Sequence, residues 1–151
     1  MVQRKASDRT APARLHTRLT VEPLSVDAAG TFCADPAAGA VVVFTGSVRD
    51  ATDGRAVTAL EYEAFDQLAE AQLETLAADV AARVGAVAVW LEHRSGLVVV
   101  GEPSVVVGVS CAHRAEAFEG ARHGIDTLKA TVALWKRERF ADGASTWVGH
   151  A

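Results

Sequence analysis

The sequence predicts a single α+β domain in which two principal helices pack against a mixed β-sheet. The chain has 151 residues, the length of one domain, and its composition of 50% hydrophobic and 23% charged residues is typical of globular proteins. Two long segments repeat apolar residues at helical spacing. Several shorter segments are continuously apolar or alternate between apolar and polar residues, as strands do. Helices and strands interspersed along one domain-sized chain indicate the α+β class.

The first predicted elements are two strands on either side of a short helix. Leu15–Val21 is predicted to be a strand that ends before Pro23, because proline cannot continue the hydrogen-bond ladder. Ser25 is a favourable N-cap for a helix that runs to about Cys33. The run AVVVF at Ala40–Phe44 is too short for a helix and long enough for a buried strand.

A loop, a strand and the clearest helix follow. Residues 46–54 are rich in turn-forming residues and predict a loop. Val57–Ala64 alternates apolar and charged residues, as a half-buried strand does. Residues 66–84 keep the apolar spacing of a helix, and Gly85 supplies the stop. The predicted apolar stripe of this helix is Leu68, Leu73, Leu76, Val80 and Val84.

The last third of the chain is predicted to hold further strands and the second long helix. Ala86–Leu91 alternates as a strand, and residues 96–111 contain two strands joined through a glycine–proline turn. Arg114–Val132 is predicted to be helical. The predicted apolar stripe of this helix is Phe118, Ala121, Ile125, Leu128 and Val132. The remaining predicted features are a strand at Trp135–Phe140, a turn at Asp142-Gly143 and a short extended piece at Trp147-Val148.

The charge distribution separates a basic tail from an acidic body. The whole chain has a net charge of −4, but its first 18 residues carry five basic side chains and one acidic one, which leaves −8 on the rest. Residues 1–13 lack apolar periodicity and are predicted to be a disordered tail, with the folded domain spanning 14–151. A body this acidic is a poor ligand for nucleic acid, and any cationic cluster in it is a candidate anion site.

Cysteine usage and hydropathy predict a cytoplasmic protein. Cys33 and Cys111 are too few for a disulfide framework and are expected to be free thiols in a reducing compartment. No apolar run reaches the roughly 18 residues that a membrane span needs, and no secretory signal is evident. No histidine lies at zinc-ligand spacing from a cysteine, so we expect neither a metal nor another cofactor.

Two cationic features lie next to predicted strand ends. Arg49 follows the AVVVF strand in a glycine-flanked loop, where α/β proteins commonly bind ligands. His113 and Arg114 begin the second long helix, whose free N–H groups and dipole favour an anion. The alternatives are an exposed loop arginine and a capping arrangement beside a surface arginine. Cys111 and His113 are two residues apart, but no third group that would orient a nucleophilic pair is evident.

Two further cationic features lie at the carboxyl-terminal end of the second helix and just beyond it. Lys129 shares a helix face with Arg122 and lies beside the apolar stripe, where desolvation could lower its pKa. Lys136, Arg137 and Glu138 follow a tryptophan on a predicted strand. The alternatives are a lysine that extends from the helix flank to solvent and a solvated strand edge.

Taken together, these segments resemble the catalytic (large) subunit of molybdopterin synthase. The motifs are F-x-G-x-V-R, H-R-x-G, A-H-R-x-x-A-F, D-x-L-K and W-K-x-E, in the order and spacing of that family, within a similarity from Leu15 to Val148. The resemblance implies an α/β hammerhead with an added antiparallel part. It departs at Ala133, where the family often has proline, and this change is expected to loosen the connection between the helix and the strand that carries Lys136.

The resemblance also implies an activity, partners and a set of site residues. Such enzymes transfer sulfur from the thiocarboxylated C-terminus of a small ubiquitin-like subunit to cyclic pyranopterin monophosphate, and two large subunits form the dimer at the centre of a heterotetramer. The implied substrate-binding residues are Arg49, His113, Arg114, Lys129, Lys136, Arg137 and Glu138. Lys129 and Lys136 match the catalytic lysines of the family. The alternatives are a non-catalytic docking protein for a ubiquitin-like sulfur carrier and an enzyme acting on another phosphorylated heterocycle.

Overall fold

The structure is a computed structural model that describes residues 11–150. The predicted tail lies outside the described residues over positions 1–10. The helices are α1 (Val26–Cys33), α2 (Asp66–Val84) and α3 (Arg114–Thr131). The strands are β1 (Arg14–Thr20), β2 (Ala40–Ser47), β3 (Ala51–Thr52), β4 (Arg55–Ala64), β5 (Ala88–Arg94), β6 (Gly96–Val99), β7 (Pro103–Cys111), β8 (Leu134–Phe140) and β9 (Ser145–His150).

The first sheet is mixed and has helices on both faces. Its strand order is β1-β5-β7-β2, with β1 parallel to β5 and the other neighbours antiparallel. Along β7, Val105, Val107 and Val109 pack into the larger core with α2 and α3, whereas Val106 packs with α1 on the opposite face. This alternation follows from the two-residue period of a strand. The predicted α+β class with two principal helices on a mixed sheet is confirmed.

The second sheet is antiparallel and carries the carboxyl-terminal strands. Its order is β3-β4-β8-β9, and β6 pairs with β4. Because β4 precedes α2 and β8 follows α3, both long helices connect the two sheets. Residues from the two sheets therefore meet at one junction, where the cavity described below lies.

Several element boundaries differ from those predicted. The 46–54 segment is not wholly a loop, because β2 continues to Ser47 and Thr52 belongs to the short strand β3. The fifth strand begins at Ala88 and continues to Arg94 instead of ending at Leu91. Its last three residues are polar or charged yet buried, a situation that apolar periodicity cannot reveal.

The buried helix faces also differ from the predicted stripes. Leu68 and Phe118 were predicted to face the core but are 52% and 63% exposed. The buried faces are instead rich in small residues. On α2 the buried residues are Ala69, Leu73, Leu76, Ala77, Val80 and Val84, and on α3 they are Ala117, Gly120, Ala121, Gly124, Ile125 and Leu128. Small residues allow α3 to approach α2 and the sheet closely.

The two predicted cap residues act as expected. The Ser25 hydroxyl accepts a hydrogen bond from the Ala28 amide at 3.1 Å. Gly85 ends α2 with a φ of 62°, a left-handed conformation that favours glycine. None of the helices within residues 11–150 has the length and hydrophobicity needed to cross a membrane.

Candidate active site

A cavity of about 290 Å³ lies at the junction of the two sheets. Its wall combines the end of β2, the Arg49 loop, β3, β4, the start of β7, the last turn of α3 and β8. The lining residues are Gly46, Ser47, Arg49, Thr52, Val57, Leu60, Tyr62, Ser104, Lys129, Lys136 and Glu138. Three of the side chains that line it are cationic and one is acidic, so the cavity is locally positive within an acidic body.

The backbone beside Arg49 is held by the turn between β6 and β7. The buried residue Val48 donates its amide N–H to the Glu102 carbonyl at 3.1 Å and accepts from the Gly101 amide at 2.9 Å. The Glu102 carboxylate in turn forms an ion pair with the buried guanidinium of Arg94. The loop arginine thus extends from an anchored backbone, although among the described residues its side chain has no ion-pair partner.

Lys129 and Lys136 both line the cavity because one lies in the last turn of α3 and the other near the start of β8. Burial lowers the pKa of Lys129, and the positive charge of Lys136 lowers it further. Part of the Lys129 side chain remains exposed, so this amine is reachable from solvent and is more readily deprotonated than an ordinary lysine.

Glu138 supplies the single carboxylate of the cavity wall. It lies two residues beyond Lys136 on β8, so both side chains lie on the same face of the strand. Its Oε1 atom accepts a hydrogen bond from the Thr52 hydroxyl at 3.1 Å, and the residue is buried. The carboxylate partly balances the lysines and fixes β3 against β8.

The link between the two lysines is tied to α2 by the side-chain amide of Gln72. Its Nε2 atom donates to the Thr131 carbonyl at 3.0 Å, and its Oε1 atom accepts from the Ala133 amide at 2.8 Å. A proline at 133 would have no N–H to donate. The alanine amide thus makes a hydrogen bond that proline cannot make, and the expectation that Ala133 loosens the connection relative to proline stays a prediction.

Tyr62 and His93 belong to the site region but were not singled out from the sequence. Tyr62 is buried in the cavity wall and contacts the His93 ring edge to face, with 4.9 Å between ring centroids. Burial lowers the pKa of His93 to about 4, and the charge of Lys129 acts in the same direction. His93 begins the H-R-x-G motif of the resemblance, and Tyr62 lies in the segment LEYEAF, which is part of the same similarity; these are the signals that could have pointed to them.

His113, Arg114 and Arg137 do not line the cavity of this chain. His113 occupies the N-cap position of α3, and the 16 residues from it to Lys129, at 1.5 Å each, place it roughly 24 Å from that lysine. Arg137 alternates with its neighbours along β8, and its guanidinium lies over the Trp147 ring, 4.4 Å from the centroid. The structure brings together Arg49, Lys129, Lys136 and Glu138 but not the other three, and the substrate-binding role of all seven stays a prediction.

Comparison with known proteins agrees with this architecture. Residues 19–131 match the model of the MoaE protein family. A molybdopterin synthase catalytic subunit from a Nostoc species is 44% identical over 131 residues, which cover 86% of this chain and 79% of that protein. The human molybdopterin synthase catalytic subunit is 39% identical over 131 residues, which cover 87% of this chain and 69% of that protein.

A solved structure agrees at the level of the fold. The crystal structure of molybdopterin synthase from Staphylococcus aureus matches with a TM-score of 0.81 at 33% identity, covering 87% of this chain and 96% of that one. The resemblance carried by the motifs is thereby confirmed. This chain belongs to the MoaE protein family, whose members include catalytic subunits of molybdopterin synthase.

Proposed function

We propose that this chain is the catalytic subunit of a molybdopterin synthase and that its cavity is where sulfur is transferred to cyclic pyranopterin monophosphate. The observation that carries the proposal is the convergence of Arg49, Lys129 and Lys136 on one cavity in an otherwise acidic body. An anionic pterin phosphate needs such a local cationic site. Family membership supports the same reaction.

Each cation has a separate role in this proposal. Arg49 binds the substrate phosphate, for which its planar guanidinium is well suited. Lys136 stabilises the negative charge that develops on the acyl oxygen when water attacks the thioester between the small subunit and the pterin, a step that leaves the sulfur on the pterin and releases the subunit as its carboxylate. Lys129 exchanges protons with the reacting pterin carbons, because its lowered pKa brings it closer to the pH at which general acid–base catalysis is efficient.

The proposal includes a protein partner that delivers the sulfur. A small ubiquitin-like subunit would insert its thiocarboxylated C-terminus into the cavity, and two copies of this chain would dimerise at the centre of a heterotetramer. The relatives are themselves named as catalytic subunits, which supports an enzyme of more than one kind of chain. Cys33 and Cys111 are both buried and pack in separate clusters on opposite faces of the first sheet, which supports the proposed cytoplasmic location.

A reconstituted reaction tests the proposal. This protein, a thiocarboxylated ubiquitin-like subunit and cyclic pyranopterin monophosphate are combined, and molybdopterin is detected as its fluorescent oxidation product. We expect product only when all three components are present. A stable complex with the small subunit that forms no product would contradict catalysis and favour the docking protein. Failure of the pterin phosphate to bind would favour another phosphorylated heterocycle as substrate.

A further inference from the structure

Gln72 contacts the segment that joins the two cavity lysines at both of its ends. This segment runs from Thr131 to Ala133, between Lys129 on α3 and Lys136 on β8. The single side-chain amide of Gln72 donates to the first of these residues and accepts from the last, at 3.0 and 2.8 Å. One side chain therefore satisfies a carbonyl at the end of the helix and an amide just before the strand.

Other hydrogen bonds also hold the connector: the Val132 amide donates to the Leu128 carbonyl at 3.1 Å, and the Thr131 hydroxyl donates to the Thr127 carbonyl at 2.7 Å. Thr131 is exposed, whereas the Val132 side chain is fully buried. The Ala133 carbonyl accepts from the Phe65 amide at 3.2 Å, so this residue is held to the start of α2 by its backbone. Together, the two contacts of Gln72 and this backbone bond fix the connector to α2, an element that contributes no side chain to the cavity.

We propose that Gln72 is a positioning residue that fixes the separation of Lys129 and Lys136 by clamping the connector between them. The inference rests on the proposed function for its catalytic consequence. Its structural consequence, the coupling between the two ammonium groups, does not depend on turnover. A fixed separation keeps the repulsion between the lysines constant, whereas loss of the Gln72 hydrogen bonds to the connector lets them move apart.

The test replaces Gln72 with methionine, which keeps the length and loses both hydrogen bonds. The matched control is Gln67→Met, an exposed position on the same helix. The pKa of Lys129 is read by NMR of ¹⁵N,¹³C-labelled lysine, since the chain has only Lys5, Lys129 and Lys136. We expect Gln72→Met to move the pKa of Lys129 toward its ordinary value and to lower kcat about tenfold with little change in KM.

A second comparison separates positioning from general destabilisation. In an Ala133→Pro chain the amide donor is absent and the fixed φ of proline stiffens the connector, while the extended backbone of Val132 suits a residue before proline. We expect Gln72→Met to have a smaller effect on the pKa and on kcat in that background. The inference is overturned if a folded Gln72→Met chain keeps the pKa of Lys129 of the wild type, or if Gln67→Met moves it equally.

The two proposals fail in different ways. If the reconstituted enzyme makes no molybdopterin but Gln72→Met still moves the pKa of Lys129, the positioning role stands and the proposed reaction is wrong. If molybdopterin forms and neither the pKa nor kcat responds to Gln72→Met, the reaction stands and the positioning role is wrong.

Discussion

The most unusual property of the cavity is the lowered pKa of Lys129, which shares the cavity wall with Lys136. Both are cations on the wall of one cavity, and the charge of Lys136 favours the uncharged form of Lys129. The structure makes burial the larger cause of the lowered pKa of Lys129 and the neighbouring lysine the smaller one. A lysine in this setting can release and recover a proton more easily than one on an open surface.

Removing the charge of Lys136 should therefore raise the pKa of Lys129. In Lys136→Met, the repulsive part of the shift is lost and the part caused by burial remains, so the pKa should rise without reaching its ordinary value. The measurement is a pH titration of labelled lysine by NMR, with Lys5 as the internal reference. An unchanged pKa of Lys129 would mean that the two lysines do not interact.

His93 makes the stability of the fold depend on pH. Its Nδ1 atom donates to the Arg94 carbonyl at 2.6 Å, and its buried Nε2 atom has no hydrogen-bond partner among the described residues. The pKa falls from 6.5 in an ordinary histidine to about 4 in the fold. Between these two values the unfolded chain binds more protons than the folded chain, so stability is lost as the pH falls.

We expect the free energy of unfolding to decrease by about 3 kcal/mol between pH 6.5 and pH 4 through His93. In His93→Gln this part of the pH dependence should disappear, whatever the variant does to stability at neutral pH. Urea unfolding across that pH range measures it. His123→Gln is the control, because that histidine is half-buried at the helix surface and pairs with Asp79. Equal slopes for the wild type and His93→Gln would contradict the assignment.

At the scale of elements, α3 depends on glycine to reach the sheet. A Cβ atom at Gly120 would lie 2.9 Å from Val84 Cγ2 and 3.0 Å from Val109 Cγ1, closer than side-chain carbons pack. One neighbour belongs to α2 and the other to β7, so the absence of a side chain here sets the spacing of three elements.

Replacing Gly120 with alanine should therefore destabilise the fold. Alanine normally stabilises a helix by about 0.5–1 kcal/mol relative to glycine, but overpacking costs about 1–3 kcal/mol, so we expect a net loss of about 1 kcal/mol. Gly30→Ala in α1 is the matched control, because no atom lies within 4 Å of the added Cβ, and it should stabilise the protein. Denaturant unfolding compares them. A stabilised Gly120→Ala chain would contradict the packing argument.

Sequence periodicity predicted the helices and strands well where one face of the element is apolar and the other is polar. The long helices, the Ser25 cap and the Gly85 stop follow from local rules that the structure obeys. The end of β5 could not be predicted, because Glu92 and His93 are buried by residues that lie far from them in the sequence. Phe118 was misplaced because helical spacing identifies a stripe without showing which of its members the neighbouring elements cover.

At the scale of the whole molecule, the candidate active site lies where the two sheets meet. Arg49, Lys129 and Lys136 were each predicted separately, and a lone loop arginine or helix-flank lysine remained a reasonable alternative for each. Their convergence depends on contacts between residues about 80 positions apart, which no local pattern encodes. The motifs of the resemblance identified the family, whereas the structure supplied Tyr62 and Gln72 as parts of the site region.

The most direct measurement is molybdopterin formation by Lys129→Ala in the reconstituted enzyme. Arg122→Ala is the matched control, because it removes a cation from the same helix at an exposed position that pairs with Asp126. We predict that Lys129→Ala lowers turnover by about 100-fold or more while the small subunit still binds, and that Arg122→Ala stays close to the wild type. Near-normal turnover by Lys129→Ala would contradict the claim that this lysine carries the proton transfers of the reaction.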